Sequence, residues 1–175
     1  ILNHMLPDQE YVKLLKKRNN QFDKRFAKAL QKFYKKFEKC EIKWISQNSP
    51  MGFGHALLAS KKFVGNEPFL LHTGDAYFPD YSFLNDFIKS SQYDKKITTT
   101  LLLQYKKSLN GFGIAQTKKR VPLDIVFHVA EKPKKPQSNL AILPIYILKP
   151  DIFVALEKTS LGHNNELQVT DAIST

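Results

Sequence analysis

Apolar residues recur at helical spacing in the first forty residues of the chain. Five of them stand three or four residues apart and therefore share one face of a helix. They are Phe22, Phe26, Leu30, Phe33 and Phe37. Lysines occupy most of the intervening positions, and the pair Asn19-Asn20 is of the kind that ends a helix. The pattern predicts two helices between Pro7 and Lys39, with the aromatic face packed in a core.

Apolar runs of strand length dominate the rest of the chain. Strands are predicted at residues 41–46, 68–73, 97–104, 113–116, 125–130 and 142–148. Helices are predicted after the loop at residues 47–54, after a cap at Ser82, over residues 151–158 and after a cap at Thr170. Strand–helix alternation followed by several strands predicts an α/β domain whose mixed, mostly parallel sheet is flanked by helices.

Positive charge is concentrated near the start of the chain. Residues 1–45 contain twelve Lys and Arg against five Asp and Glu, which supplies +7 of the net charge of +11. Such a concentration can attract nucleic acid or other phosphates, although a solvated helix face is the commoner reason for a lysine-rich run. We favour the solvated face and expect no nucleic-acid partner. A non-catalytic basic module that binds RNA or an acidic protein is kept as an alternative.

Membrane and secretory features are not evident in the sequence. No apolar stretch has the length of a membrane span, and residues 1–5 lack the basic, apolar and small-residue order of a secretory signal. Cys40 is the one cysteine, so an internal disulfide is excluded. We therefore predict a cytoplasmic protein without membrane contact and leave open whether it forms a homo-oligomer.

Three short motifs combine residue types that are used in phosphate chemistry. Gly52-Phe53-Gly54 precedes a predicted helix, so its backbone and free N–H groups can approach a planar or anionic ligand. Asp75 follows an apolar strand, where ligands of open α/β sheets bind and a carboxylate can hold Mg²⁺. Glu131-Lys132-Pro133 offers a carboxylate to hydroxyls and an ammonium to phosphate. Taken singly, none of the motifs is decisive: an ordinary turn is the favoured explanation of Gly74-Asp75, and a surface pair can explain Glu131-Lys132.

The order and spacing of these motifs resemble the sugar-1-phosphate nucleotidyltransferase family, most closely its UTP–glucose-1-phosphate uridylyltransferases. The similar segments are Gln47 with Pro50 to Ala56, Gly65 to Phe69 with Gly74-Asp75, Gly111 to Ile114, Glu131 to Pro133, Ser138 to Ile142, Tyr146 to Leu148 and Glu166 to Ile173. The resemblance extends over roughly residues 41–175. It implies a Rossmann-like nucleotidyltransferase domain, with residues 1–40 as a basic helical segment or insertion.

The resemblance also implies a nucleotide site and a metal site. Gln47 and the backbone of Gly52 would recognise the uracil edge of UTP. Asp75 would be one ligand of a catalytic Mg²⁺. A relative that uses dTTP, or another nucleotide and another hexose 1-phosphate, is kept as an alternative. The reason is that uracil and thymine share the edge that Gln47 would contact.

A sugar-phosphate site is implied by four further residues. Gly113 and Glu131 would hold the glucose hydroxyls, Lys132 would bind the sugar phosphate as a catalytic residue, and Asn139 would shape the pocket. The implied reaction converts UTP and glucose 1-phosphate into UDP-glucose and pyrophosphate by in-line attack on the α-phosphorus. The family's glycine-rich triphosphate loop and second metal-binding Asp are not among the 175 residues. We therefore expect a fragment of the catalytic domain that lacks its N-terminal strands and is inactive as it stands.

Overall fold

The computed structural model describes residues 6–174, which form two compact units divided between Trp44 and Ile45. Residues 1–5, in which no secretory signal is predicted, lie outside the described part of the chain. Residues 6–174 contain no helix that is long and apolar enough to cross a membrane.

The first unit consists of two helices, α1 (Gln9–Lys17) and α2 (Gln21–Phe37). Asp8 caps α1 and Asn20 caps α2, because each side chain accepts a hydrogen bond of 2.8 Å from a backbone N–H in the first turn. The predicted interruption at Asn20 is therefore confirmed. That this unit is an insertion within a larger domain stays a prediction.

The aromatic face of α2 is not the face that the first unit buries. Its small core is formed by Val12, Leu15, Ala27 and Tyr34, with Leu30 packed against it. Phe22, Phe26 and Phe33 are 75%, 41% and 44% exposed. The prediction that the aromatic face packs in a core is wrong for these three residues. The physical reason is that α1 packs against the neighbouring face of α2, one position along from the phenylalanines.

The second unit is built on five strands. They are β1 (Phe69–His72), β2 (Thr99–Tyr105), β3 (Ile114–Lys118), β4 (Ile125–Ala130) and β5 (Leu140–Leu148). β5 is central: β2 pairs along one of its edges, β1 and β3 pair with successive halves of the other, and β4 pairs with β3. Each of these pairings of described strands is antiparallel.

The strand directions correct one prediction. The α/β composition is confirmed, but the prediction of a mostly parallel sheet is wrong for the described strands. β1 and β2 do run in the same direction, yet β5, which comes from much later in the chain, lies between them and runs against both. Local alternation of strands and helices carries no information about a strand that is inserted from so far along the sequence.

Short helices complete the second unit. They are α3 (Phe53–Ala59), α4 (Lys61–Val64), α5 (Leu84–Ser91), α6 (Asp151–Lys158) and α7 (Val169–Ile173), with a 3₁₀ turn at His163–Asn165. The main core lies between β5 and the helices α6 and α7, where Leu148, Phe153 and Leu156 are at most 1% exposed. Burial of this apolar surface is the main force that holds the sheet and these helices together.

Three local predictions about element boundaries are wrong. No strand forms at residues 41–46. Ser82 does not cap α5, because its side chain and backbone N–H both donate to Asp80 and the helix begins after Phe83 without a side-chain cap. Thr170 does not cap the last helix but lies within α7, where it is 5% exposed.

A gap in the sheet lies beside Pro144 in the middle of β5. The Ile142 N–H donates to the Gly113 carbonyl at 2.8 Å, and the Pro144 carbonyl accepts from the Thr73 N–H at 3.2 Å. β3 and β1 thus diverge on either side of Pro144. The proline nitrogen, which carries no hydrogen, faces the gap between these strands, so the sheet loses no hydrogen bond there. The gap positions the candidate site.

Candidate functional site

A cavity of about 510 Å³ opens where β1 and β3 diverge along β5. Its walls come from the loop after β1, the turn before β3, the end of β4, the middle of β5 and the segment that leads into α7. Four of the predicted site residues line it: Asp75, Gly113, Glu131 and Lys132. A larger concave region of about 1350 Å³ between α5, β2 and β4 contains none of them. The smaller cavity is therefore the candidate site.

Glu131 is the polar centre of this cavity. Its Oε2 accepts a hydrogen bond of 2.7 Å from the Thr170 hydroxyl, and its Oε1 lies 3.3 Å from Lys132 Nζ. The Glu131 side chain is 13% exposed and that of Lys132 is 41% exposed. The carboxylate is thus held from the protein side, whereas the ammonium group reaches towards the opening.

The backbone of Lys132 explains how two consecutive side chains reach the same cavity. Successive side chains on a strand point to opposite faces. β4 ends at Ala130, and Lys132 has a φ of 40°, which is uncommon for a residue with a side chain. This left-handed residue breaks the alternation, so both side chains line one cavity. A strained residue at the mouth of a pocket is typical of a functional site.

Gly113 lies directly against the pair formed by Glu131 and Thr170. A Cβ atom at residue 113 would be 3.1 Å from Thr170 Cγ2, 3.4 Å from Glu131 Oε2 and 3.4 Å from Ile142 Cδ1. A side chain here would push on the Thr170–Glu131 hydrogen bond. The glycine is required by this close approach.

The cavity is rich in carboxylates and poor in cations. Asp75, Glu131 and Glu166 line it, and Lys132 is the only cationic side chain among the described residues that do so. Burial raises the pKa of Tyr146 to about 12, and the charge of Glu131 contributes to this rise. Tyr146 is therefore a neutral phenol at physiological pH.

The pKa of Asp171, in the helix α7, is affected by the same carboxylate. Burial raises the pKa of Asp171 and the charge of Glu131 raises it further, while His163 acts in the opposite direction. Glu131 therefore disfavours further negative charge nearby. An anionic group that enters the cavity needs the ammonium of Lys132 or an added cation.

Asp75 is an exposed carboxylate on the wall of the cavity, directly after β1 as predicted. Close to it in the chain, the buried Thr73 Oγ1 has no hydrogen-bond partner in the part of the chain that the structure describes. No group of three or more His, Cys, Asp or Glu within residues 6–174 is arranged to hold a metal ion. One carboxylate still suits Mg²⁺, which takes one or two carboxylates and fills its remaining positions with water and substrate phosphates.

Gln47 and Gly52 belong to a loop that adjoins the cavity. Gln47 Nε2 donates to the Gly52 carbonyl at 3.2 Å and to His55 Nδ1 at 2.9 Å. Neither Gln47 nor Gly52 lines the cavity, but their loop neighbour Phe53 does. Gln47 and Gly52 thus contact each other, in a loop next to the cavity that the other four predicted residues line.

The two glycines of this loop pack tightly against the segment before α7. The Gly54 N–H donates to the Leu167 carbonyl at 2.8 Å, and the Leu167 N–H donates to the Met51 carbonyl at 2.9 Å. The prediction that the glycine loop leaves its N–H groups free for a ligand is therefore wrong for Gly54. Its amide is used to join two segments that are far apart in sequence.

Asn139 neither lines the cavity nor belongs to the loop that adjoins it. Its side chain donates to the Tyr105 hydroxyl at 2.9 Å, and its backbone carbonyl accepts from the Lys106 N–H. It is exposed at the start of β5 and does not line the cavity. In this structure Asn139 ties β5 to the end of β2.

Thr170 and Tyr146 line the cavity and were not predicted as site residues. Tyr146 alternates with Pro144 and Ile142 along β5, so a period of two in the sequence was the available signal. Thr170 gave no such signal, because its partner Glu131 lies 39 residues earlier in the chain.

Replacing Thr170 by valine is expected to lower the free energy of unfolding by about 1.5 kcal/mol, since a hydrogen bond to a charged group is lost at constant shape. Thr170→Ser keeps the donor and should cost less. Thr100→Val is the matched control, because the buried Thr100 hydroxyl has no partner among the described residues and its loss should cost nothing. Equilibrium urea unfolding measures all three; equal effects of the two valine variants would contradict the assignment.

Comparisons with known proteins show which family the chain resembles. Residues 8–175 match the sequence profile of the Nucleotidyl transferase family, so the similarity extends into the first helical unit. The chain is 33% identical over 161 residues to the UTP–glucose-1-phosphate uridylyltransferase of Bacillus subtilis (strain 168), covering 84% of this chain and 52% of that protein. It is 28% identical over 136 residues to the glucose-1-phosphate thymidylyltransferase of Streptomyces antibioticus, covering 76% and 36%.

A solved structure is similar over the same region. The crystal structure of UDP-glucose pyrophosphorylase complexed with UDP-glucose matches with a TM-score of 0.73 and 29% identity, covering 89% of this chain and 60% of that one. The chain spans about half the length, or less, of the curated relatives it matches.

Proposed function

The chain belongs to the nucleotidyl transferase family, and we propose that it is part of an enzyme that transfers the uridylyl group of UTP to glucose 1-phosphate. The products are UDP-glucose and pyrophosphate. The observation that carries the proposal is the cavity at the gap in the sheet, where Glu131 and Lys132 meet. The names of the relative from Bacillus subtilis and of the solved pyrophosphorylase support the choice of uridylyl and glucose.

The pair Glu131 and Lys132 suits the two ends of a sugar phosphate. The carboxylate of Glu131 accepts hydrogen bonds from sugar hydroxyls, and Thr170 holds it in place for this. Lys132 Nζ is a strong donor to phosphate oxygens and has space to move, being partly exposed. Binding fixes the sugar phosphate so that its oxygen attacks the α-phosphorus in line, and positioning of this kind can supply a large part of the rate.

We propose that Asp75 contributes one ligand to Mg²⁺ when nucleotide binds. The ion would neutralise negative charge on the nucleotide phosphates. The cavity itself is lined by three carboxylates and one ammonium group, so a triphosphate requires added positive charge there.

A cytoplasmic setting goes with the proposal, because the single, exposed Cys40 forms no internal disulfide.

Thymidylyl transfer is the second candidate. The observation that favours it is the similarity to the thymidylyltransferase of Streptomyces antibioticus. Uracil and thymine carry the same donor and acceptor groups on the edge that Gln47 would contact, and they differ by one methyl group.

The test uses the protein expressed from its complete open reading frame. Pyrophosphate release is measured with Mg²⁺, glucose 1-phosphate and each of UTP, dTTP, CTP and GTP. We expect release with UTP to exceed release with the other three nucleotides. Release that is highest with dTTP would favour the second candidate. No release with any nucleotide and any hexose 1-phosphate, together with RNA binding that weakens steeply with salt, would favour a non-catalytic basic module instead.

A further inference from the structure

The side-chain amide of Gln47 has one occupied end and one open end. Nε2 donates to both the Gly52 carbonyl and His55 Nδ1. Oε1 has no hydrogen-bond partner within residues 6–174, and neither has the Gly52 N–H. The loop therefore leaves one acceptor and one donor for a ligand, on residues that contact each other.

The hydrogen bonds fix which way the amide is turned. A backbone carbonyl only accepts, so the NH₂ end of Gln47 must face Gly52. The same NH₂ group lies 2.9 Å from His55 Nδ1, which must then be an acceptor, with the ring proton on Nε2. A turned amide would set two oxygens against each other at Gly52. With the amide turned this way, Nε2 is held by two acceptors and Oε1 stays the open end.

The open oxygen distinguishes pyrimidine bases by their central ring nitrogen. In uracil and thymine N3 carries a hydrogen and donates, whereas in cytosine N3 is an acceptor. An amide oxygen bonds to the former and is repelled by the latter. An amide turned by half a rotation would offer NH₂ instead and would reverse this preference.

We infer that His55 is a specificity-determining residue: by accepting a hydrogen bond at Nδ1 it holds the Gln47 amide so that the site selects uracil and thymine over cytosine. This inference rests on the proposed function. His55 lies in the first turn of α3 and is half-buried. Its place is fixed by the adjacent Gly54, whose N–H is bonded to Leu167. His55 acts through Gln47, so it is a positioning residue.

The experiment compares His55→Phe with His55→Asn in the protein from the complete open reading frame. Phenylalanine keeps a ring and removes the acceptor, whereas the asparagine oxygen can occupy the place of Nδ1. The measured quantity is the ratio of kcat/KM for UTP to kcat/KM for CTP. We expect His55→Phe to lower this ratio about fivefold, as loss of one neutral hydrogen bond predicts, and His55→Asn to keep it within about twofold.

Controls separate positioning from a general effect on the fold. His128→Phe is the matched control, because His128 is exposed on β4 and does not line the candidate site; it should leave the ratio unchanged. In a Gln47→Leu background, His55→Phe should have no further effect on the ratio. His55→Leu is the smaller acceptor-free variant to use if the phenylalanine variant does not fold.

The outcomes distinguish this inference from the proposed function. A wild-type enzyme that releases pyrophosphate from UTP, with an unchanged ratio in the acceptor-free variant, overturns the role of His55 alone. Equal losses for His55→Phe and His55→Asn do the same, because they show a structural effect. No turnover by the wild-type enzyme with any nucleotide overturns the proposed function itself.

Discussion

Gly52→Ala is expected to lower the free energy of unfolding by about 3 kcal/mol or more, because steric overpacking and a strained backbone act together. Gly52 has a φ of 99°, and a Cβ there would lie 2.7 Å from Glu166 Cβ and 2.8 Å from the Leu167 carbonyl oxygen. One contact is with a backbone oxygen and the other with a Cβ atom, so neither can be relieved by turning a flexible side chain.

Gly65→Ala is the matched control for this substitution. Gly65 also has a positive φ, 64°, but a Cβ there would meet no atom within 4 Å. It should cost about 1–2 kcal/mol, the penalty of a positive-φ backbone alone. Equilibrium urea unfolding followed by circular dichroism measures both variants. Equal costs would contradict the tight contact between the glycine loop and the segment before α7.

Lys132→Met is expected to lower kcat/KM for glucose 1-phosphate about 10- to 100-fold, because a charge-assisted hydrogen bond to phosphate is worth roughly 1.5–3 kcal/mol. Methionine keeps the length of the side chain and removes the ammonium, the only cation among the described residues that line the cavity. Steady-state kinetics of pyrophosphate release at saturating UTP measures this loss, with the protein expressed from its complete open reading frame.

Lys134→Met is the matched control for the lysine variant. Lys134 is exposed in the same loop and does not line the cavity. It should change kcat/KM less than about twofold, as is usual for an exposed charge. A Lys132→Met variant that behaves like Lys134→Met would show that Lys132 does not bind the sugar phosphate.

The sequence was sufficient to predict residues that stand at the ends of strands. Asp75 and Glu131 follow the apolar strands β1 and β4, and these strand ends meet at the gap beside β5. Glycine at residue 113 and lysine at residue 132 were predicted through their place in motifs. All four line one cavity, because β1 ends and β3 begins at the gap, and the end of β4 pairs with the start of β3.

Long-range contacts account for what the sequence could not predict. The strand predicted at residues 41–46 has an apolar pattern, but no described strand pairs with it, and Ile42, Trp44 and Ile45 are 38–43% exposed. A strand without a partner leaves its backbone N–H and C=O groups unpaired, so an apolar sequence pattern alone does not stabilise it. The antiparallel direction of β5 and the hydrogen bond from Thr170 to Glu131 likewise depend on residues far apart in the chain.

We propose that the cavity beside Glu131 and Lys132 holds the sugar phosphate while the adjoining loop at Gln47 holds the base. A crystal structure of the protein from its complete open reading frame, bound to UDP-glucose, tests both placements at once. We expect glucose hydroxyls within hydrogen-bond distance of Glu131, a phosphate at Lys132, and uracil N3 at Gln47 Oε1. UDP-glucose bound instead in the larger concave region between α5 and β4, with the smaller cavity free of ligand, would contradict it.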